Sequence, residues 1–256
     1  FMTSQMFDIT GKKAIVTGST RGLGRGMAEG LMEAGCEVCI VGTSDKVFEV
    51  AQSYCEKGYD CKGVKADLGK RDEVYRCFRE CLEKLGGDLD ILVLSHGIQR
   101  RCPAADFAIQ DWDDVINVNL NSVFILCQEA ARIMLPKGYG KMILVSSMNA
   151  FFGGQNIPAY AAAKGGLTAM AKEMSNDWLA KGINVNCIAP GYMGTDMCAA
   201  LNDPANPRFH QILARIPAGR WGTPDDMKGP CIFLASHASD YLGGAVIPVD
   251  GGYLVM

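Results

Sequence analysis

Tyr160 and Lys164, four residues apart in PAYAAAK, form a pair that could move a proton. On a helix this spacing places both side chains on one face. A free tyrosine has a pKa near ~10, which makes it a poor acid–base catalyst at neutral pH. A neighbouring ammonium favours the phenolate and lowers that pKa. Ser147 ends the preceding apolar run, so its hydroxyl would lie where that strand stops. The alternative is a packed aromatic ring beside a solvated lysine.

A histidine follows another apolar run, in the stretch ILVLSHGIQRR. His96 could be a catalyst, a ligand or a packing residue. Because Tyr160 can already serve as the acid–base, we expect His96 to pack and form hydrogen bonds. Direct contact with a cofactor, whose pocket an imidazole could tune, is the less favoured alternative.

Two adjacent arginines, Arg100 and Arg101, end the same stretch. Guanidinium groups suit bidentate binding of a carboxylate. The alternative is one solvated arginine and one salt bridge to Asp106 or Asp111. Gln155, in a later loop, could hydrogen-bond a substrate hydroxyl or sit in a surface turn.

Three glycines, Gly18, Gly22 and Gly24, lie between the first apolar run and the first helical stretch, in AIVTGSTRGLGRGM. Missing side chains let the backbone approach a pyrophosphate, and a helix N-terminus offers free N–H groups and partial positive charge. The alternative is a plain tight turn. The position between strand and helix favours nucleotide binding.

Short apolar strands alternate with helices along the whole chain. Strands are predicted at 12–17, 36–42, 62–66, 90–95, 141–147, 183–189 and 245–249. Helices are predicted at roughly 22–34, 45–57, 70–85, 111–135, 159–180 and 224–236. Continuous apolar runs are typical of strands buried on both faces of a parallel sheet. The predicted fold is α/β, a single doubly wound, Rossmann-like domain over residues 1–256. The irregular segment 191–222 is interpreted as a substrate lid.

Composition argues against several other classes of function. The chain has 28 acidic and 25 basic residues and a net charge of −3, which gives no support for binding nucleic acid or a membrane surface. Its apolar runs are shorter than the ~18 residues of a membrane span. Eleven irregularly spaced cysteines, with no export signal in FMTSQMFDITGKK, predict reduced thiols, no metal site and a cytoplasmic location.

The TGxxxGxG spacing and the order Ser147, Tyr160, Lys164 resemble the short-chain dehydrogenase/reductase family, over essentially the whole chain. The resemblance implies hydride transfer between a nicotinamide cofactor and an alcohol or ketone. It makes Tyr160 the acid–base, Ser147 the group that orients the carbonyl, and Lys164 a further ligand of the nicotinamide ribose. Asn119, in VINVNLNSVF, matches the asparagine that helps to hold a water in the family's proton relay.

The resemblance also assigns residues to the cofactor. From the glycine loop these are Gly18, Ser19, Thr20, Arg21, Gly22, Leu23 and Gly24. Later residues of the set are Thr43, Ser44, Asp67, Leu68, Ser95, Gly97, Tyr160, Lys164, Pro190, Gly191, Met193 and Thr195. The family usually has an NNAG-like sequence before Gly97, where this chain has Leu94, Ser95 and His96. The hydrogen bonds of the two lost amides therefore need another source.

The choice between NAD and NADP depends on the end of the second strand, where an acidic residue would bind the ribose and repel a phosphate. This chain has Gly42, Thr43 and Ser44 there, whose hydroxyls suit either cofactor. Arg21 could pair with a phosphate or be solvated. We expect a slight preference for NAD, because the sugar-acid enzymes that the chain resembles use it.

Within the family, stretches such as GIQRRCPAADF and RIPAGRWGTPDDM resemble the 2-dehydro-3-deoxy-D-gluconate and gluconate 5-dehydrogenases. The resemblance implies a sugar-acid substrate that contacts Arg101, Ser147, Gln155 and Tyr160. A 3-oxoacyl-thioester reductase, or another carbonyl reductase, is the alternative enzyme. A dinucleotide-binding scaffold or sensor without turnover is the alternative of another class. The family's usual homotetramer, built through long helices and the C-terminal strand, is also expected.

Overall fold

Seven parallel strands form one sheet in the computed structural model, which describes residues 5–256. The strand order is β3-β2-β1-β4-β5-β6-β7. The strands are β1 (Lys13–Thr17), β2 (Glu37–Gly42), β3 (Cys61–Lys65), β4 (Ile91–Leu94), β5 (Gly140–Val145), β6 (Ile183–Pro190) and β7 (Val246–Val249). The predicted fold is confirmed, and each predicted strand overlaps an observed one.

Helices cover both faces of this sheet. They are α1 (Gly22–Glu33), α2 (Lys46–Cys55), α3 (Arg71–Lys84), α4 (Ile109–Ile116), α5 (Ser122–Lys137), α6 (Pro158–Trp178), α7 (Pro207–Leu213) and α8 (Lys228–Ala235). Helices α1, α2 and α8 pack on one face, and α3, α5 and α6 pack on the other. A π-helical turn, Asn117–Asn121, separates α4 from α5. The sequence predicted one uninterrupted helix there and did not predict α7.

A hydrophobic core lies on each face of the sheet, so a strand packs against one core with every second residue and against the other core with the residues between. Ala14 and Val16 of β1 join one core, and Ile15 between them joins the other. Cys36 and Cys39 likewise pack in opposite cores, as small buried residues.

Strands β1 and β4 are neighbours in the middle of the sheet, where the connections turn in opposite directions. In open α/β sheets, ligands bind at such a switch point, outside the carboxyl ends of the strands. The glycine loop, His96 and Ser147 all follow strand ends at this edge. In the described part of the chain, no helix is both long and apolar enough to cross a membrane.

Candidate active site

The three glycines of the first loop serve different purposes. Gly18 has φ +64°, and a Cβ there would lie 2.8 Å from the Cα of His96. A Cβ on Gly24 would lie 2.3 Å from the carbonyl oxygen of Gly18. Packing of the chain alone therefore excludes side chains at both positions. Gly22 has φ +57°, but its nearest neighbour would be the Thr195 methyl group at 3.7 Å, so it faces more open space.

The start of α1 fits a pyrophosphate. Arg21 at its N-cap makes no side-chain capping bond, so the first N–H groups of the helix have no side-chain partner from the cap. Ser19, a predicted cofactor contact, has its hydroxyl occupied within the protein. It is fully buried, its hydroxyl donates to the Val16 carbonyl (2.6 Å), and its Oγ accepts from the Val41 N–H (3.1 Å). Ser19 therefore ties the loop to the sheet.

The predicted adenosine end is open to solvent. Thr43 and Ser44 are exposed just after β2. The next residue, Asp45, directs its carboxylate to Lys65 Nζ at 3.0 Å. Because that lysine partly neutralises the carboxylate, this end of the site has weak repulsion toward an additional phosphate.

The remaining predicted cofactor residues in this half of the sheet lie after β3 and in the glycine loop. Asp67 is exposed and accepts a hydrogen bond from the Gly69 N–H (3.0 Å), whereas Leu68 is buried. Arg21 is exposed and pairs with Asp196 at 2.9 Å, which joins the glycine loop to segment 191–222. Thr20 and Leu23 are half-buried in the loop.

The predicted catalytic residues come together at the sheet edge. Lys164 Nζ lies 5.6 Å from the centre of the Tyr160 ring and donates to the Val145 carbonyl at 2.6 Å. Ser147 is buried, and its Oγ accepts from the backbone N–H of Asn149 (3.1 Å) and from its side-chain amide (3.3 Å). Because both contacts use Ser147 as an acceptor, its own hydrogen remains available to a substrate oxygen.

The pKa of Tyr160 departs from the sequence-based prediction. Burial raises the pKa of Tyr160 to about 12, opposed by the Ser147 hydroxyl and by Arg101. Burial also lowers the pKa of Lys164 to about 8, because a buried ammonium is costly. The sequence-based prediction that this lysine lowers the tyrosine pKa is therefore wrong, because burial of the phenol raises that pKa.

Asn119 lies in the π turn and is fully buried. Its Oδ1 accepts from the Ile98 N–H (2.8 Å), and its Nδ2 donates to the Ile98 carbonyl (2.9 Å). The side chain therefore fixes the segment after β4 to the π turn. One N–H and one lone pair of the amide remain for another partner, such as a water.

His96 bridges two elements. Its Nδ1 lies 2.7 Å from Thr17 Oγ1, and its Nε2 lies 2.7 Å from Ser122 Oγ. Ser122 donates its own hydrogen to the Val118 carbonyl (2.8 Å), so it must accept from the histidine. The histidine is therefore the neutral Nε2–H tautomer, and Thr17 donates to Nδ1. Burial lowers the pKa of His96 to about 3, with the charge of Lys164 as a smaller cause.

This network lies where the family usually has its two amides. The Ser95 N–H donates to Thr17 Oγ1 at 3.2 Å, so β1, β4 and the π turn are linked in one chain of hydrogen bonds. A Cβ on Gly97 would lie 3.4 Å from Asn119 Oδ1, an ordinary contact, so packing does not by itself require glycine at this position. The predicted hydrogen-bonding role of His96 is confirmed.

The predicted nicotinamide side follows β6. Pro190 is buried at the strand end, and a Cβ on Gly191 would lie 2.6 Å from Asp250 Cβ. Met193 is buried in the core, so its side chain packs inward, whereas Thr195 faces Gly22.

A cavity of about 380 Å³, within the roughly 300–1,000 Å³ that is typical of ligand pockets, lies between the segment after β4 and segment 191–222, and Ser147 and Tyr160 are not among its lining residues. Arg101 and Gln155, both predicted substrate residues, line it. Arg100 does not line it, and its guanidinium pairs with Asp111 at 3.3 Å. Arg100 therefore forms the salt bridge to Asp111 that the alternative interpretation predicted, whereas Arg101 lines the cavity.

Sequence reasoning missed three residues of this region. Arg208 and Asn156 line the cavity, and Asn149 positions Ser147. Asn156 has φ +62°, a left-handed conformation that asparagine tolerates better than most residues. None of the three belongs to a periodic pattern or a spaced motif that would have identified it.

Comparison with known proteins defines the class of protein. A family model described as Enoyl-(Acyl carrier protein) reductase matches residues 18–254. The 2-dehydro-3-deoxy-D-gluconate 5-dehydrogenase of Pseudoalteromonas atlantica is 43% identical over 98% of both chains. The enzyme of the same name from Escherichia coli (strain K12) is 42% identical over 99% of both.

A solved structure is similar to this chain over the same length. The gluconate 5-dehydrogenase of Burkholderia cenocepacia J2315, in complex with NADP and tartrate, is 37% identical over 99% of both chains, with a TM-score of 0.94. The chain belongs to the short-chain dehydrogenase/reductase family. It is a nicotinamide-dependent oxidoreductase that acts on CH–OH groups.

Proposed function

We propose that this protein interconverts a secondary alcohol and a ketone on a sugar acid, as a 2-dehydro-3-deoxy-D-gluconate 5-dehydrogenase does. The observation that carries the proposal is the position of Arg101. This guanidinium lines the cavity and is also close enough to Tyr160 to act on its pKa. A cation at the cavity, beside a proton donor, fits a substrate that has a carboxylate as well as a reacting oxygen.

Tyr160 and Ser147 provide the proton chemistry in this proposal. A bound nicotinamide cofactor supplies or accepts hydride at the substrate carbon. In reduction, Tyr160 donates its proton to the developing alkoxide while Ser147 donates a hydrogen bond to the same oxygen. In oxidation, Tyr160 must accept the proton as phenolate. Because burial holds its pKa at about 12, the resting residue is the neutral acid, which is the form that reduction needs.

Lys164 and Asn119 support this chemistry. The ammonium of Lys164, held by the Val145 carbonyl, would bind the nicotinamide ribose and stabilise a phenolate. The free N–H and lone pair of Asn119 would hold a relay water. Pro190, Gly191 and Thr195 would border the nicotinamide.

In the proposed substrate, the distance from the carboxylate to the reacting carbon fits two adjacent subsites, one for the reacting carbon at Tyr160 and one for the carboxylate. In a 5-dehydrogenase substrate, four carbon–carbon bonds of about 1.5 Å separate the carboxyl carbon from the reacting carbon, or about 5 Å in an extended chain. A carboxylate group should therefore bind beside Tyr160 and not against it. Arg101 and Gln155 occupy that neighbouring position, and segment 191–222 would close over the substrate as a lid.

A substrate panel tests the proposal. Purified protein is mixed with NADPH or NADH and with 5-dehydro-D-gluconate, a neutral ketone or a 3-oxoacyl thioester, and the loss of reduced nicotinamide absorbance is followed. We expect the sugar acid to give the highest kcat/KM. Faster turnover of the thioester would favour the acyl reductase, and no turnover of any compound would favour a scaffold or sensor.

Both cofactors are compatible with the open adenosine end. The sequence-based preference for NAD rests on resemblance. The exposed hydroxyls of Thr43 and Ser44, together with the guanidinium of Arg21, would bind the 2′-phosphate of NADP, while Lys65 offsets the negative charge of Asp45. Comparison of kcat/KM for the two cofactors decides between them.

The proposed assembly is a homotetramer in the cytoplasm. Ile109 and Trp112 of α4 and Phe124 of α5 expose apolar surface, as do Val255 and Met256 near the C-terminal strand. Burial of both patches against other subunits is favourable. Light scattering of the purified protein should give four times the mass of one chain.

A further inference from the structure

A second arginine faces the cavity, from the segment proposed as the lid. Arg208 is the second residue of α7, and its exposed side chain lines the same cavity as Arg101. The two guanidinium groups come from parts of the chain more than one hundred residues apart in sequence. Gln155 lines the cavity with them and can donate a further hydrogen bond.

Neither of these guanidinium groups has an ion-pair partner within residues 5–256. The neighbouring Arg100 differs, because it pairs with Asp111, and so does Arg220, which makes two hydrogen bonds to Asp226. Two unpaired cations that line one cavity attract an anion, and binding of the anion relieves their mutual repulsion.

The backbone at Arg208 is held firmly. Asn206 Oδ1 accepts from the Arg208 N–H at 2.9 Å, and Asn206 Nδ2 donates to the Ala200 carbonyl at 2.6 Å. The next residue, Phe209, stacks on Trp221 with 8° between the rings and 6.2 Å between their centres. The backbone that carries the Arg208 side chain is therefore fixed, so less backbone entropy is lost on binding.

The lid also has fixed ends. The Gly194 N–H donates to the Gly222 carbonyl (2.8 Å), and the Gly222 N–H donates to the Tyr192 carbonyl (3.0 Å). An anion bound to both Arg101 and Arg208 would therefore tie the lid to the segment after β4.

We propose that Arg208 determines substrate specificity, binding the substrate carboxylate together with Arg101. This inference rests on the proposed function, because the sugar acid supplies the carboxylate. A neutral substrate gains nothing from either guanidinium. The preference for an acidic substrate thus depends on Arg101 after β4 and on Arg208 in the proposed lid.

Binding measurements test Arg208 without turnover. Protein loaded with NADPH cannot oxidise gluconate, so the dissociation constants of gluconate and of neutral gluconamide can be measured by calorimetry. For Arg208→Ala we expect gluconate to bind about tenfold more weakly and gluconamide to change less than about twofold. Arg208→Lys keeps the charge without the planar fork and should lose less, about threefold. The matched control is Arg100→Ala, which should leave both constants unchanged.

The outcomes separate this inference from the proposed function. Unchanged gluconate binding in Arg208→Ala, or equal losses for gluconate and gluconamide, would overturn the role of Arg208 even if the wild type oxidises sugar acids. Selective loss of gluconate binding in a protein that turns over no sugar acid would support Arg208 and reject the proposed function. A wild type that reduces 5-dehydro-D-gluconate but does not bind gluconate would overturn the role of Arg208 alone, and one that does neither would overturn both.

Discussion

The catalytic side and the substrate side of this site are built in opposite ways. His96, Asn119 and Lys164 are buried, and each has its hydrogen-bond partners in the surrounding strands and helices. Arg101 and Arg208 are exposed and unpaired within the described residues. The buried side is preorganised for one kind of chemistry, whereas the open side can change its preference by single substitutions. Changes on the two sides should therefore affect different kinetic constants.

Loss of the phenol should have the largest effect. For Tyr160→Phe we expect kcat to fall about 10²- to 10⁴-fold, because the reacting oxygen loses its proton donor. The fall should be the same for 5-dehydro-D-gluconate and for its neutral carboxamide, and the dissociation constant of NADPH should be unchanged. Steady-state kinetics and a cofactor titration check this. A fall in kcat for the acid alone would mean that Tyr160 selects the substrate carboxylate and does not supply the proton.

Lys164 should make stability depend on pH. Its pKa is lowered to about 8 in the folded protein, from 10.5 in the unfolded chain. Below pH 8 the buried ammonium is charged in both states and destabilises the fold. Between pH 8 and 10.5 only the unfolded chain holds the proton, so stability rises with pH, by about 3 kcal/mol in total.

Denaturant unfolding across this range checks the prediction. The free energy of unfolding of the wild type should rise relative to that of Lys164→Met. The control is Lys181→Met, at an exposed lysine, and its free energy of unfolding should change with pH as that of the wild type does. Parallel curves for Lys164→Met as well would show that this lysine is not desolvated.

His96 should matter for stability more than for chemistry. His96→Ala leaves a cavity and removes the hydrogen bonds to Thr17 and Ser122, at a cost of about 2–4 kcal/mol in the free energy of unfolding. Ser122→Ala removes the bond from His96 and the bond to the Val118 carbonyl, but it leaves a smaller cavity and should cost less. We expect kcat to stay within about tenfold of the wild type. A kcat near zero with normal folding and cofactor affinity would make His96 part of the catalytic machinery.

Arg21 should have the smallest effect, limited to the cofactor. For Arg21→Ala we expect kcat/KM with NADPH to fall about tenfold, through loss of a charge-assisted contact, and the value with NADH to change little. Arg25→Ala, whose guanidinium is held by Glu29 at 3.0 Å, serves as the control. Equal changes for NADPH and NADH would remove Arg21 from the 2′-phosphate site.

Much of the buried side could be predicted from the sequence, because it depends on local patterns. The strands follow from apolar runs, and Tyr160 and Lys164 share a face through helical spacing. The sign of the Tyr160 pKa shift could not be predicted, since it depends on burial by distant segments. The partners of His96 come from β1 and α5, far apart in sequence. Arg208 lies in an irregular segment, where no periodicity indicates which way a side chain points.

The most direct test of the central claim compares two substrates in two proteins. The kcat/KM values for 5-dehydro-D-gluconate and its carboxamide are measured with the wild type and with Arg101→Ala. In the wild type we expect the ratio of acid to amide to be about ten or more. In Arg101→Ala we expect the ratio to fall several-fold through a higher KM for the acid, and any acid preference that is left depends on Arg208. A ratio that stays the same in both proteins would contradict the division of the site into a buried catalytic side and an open carboxylate-selecting side.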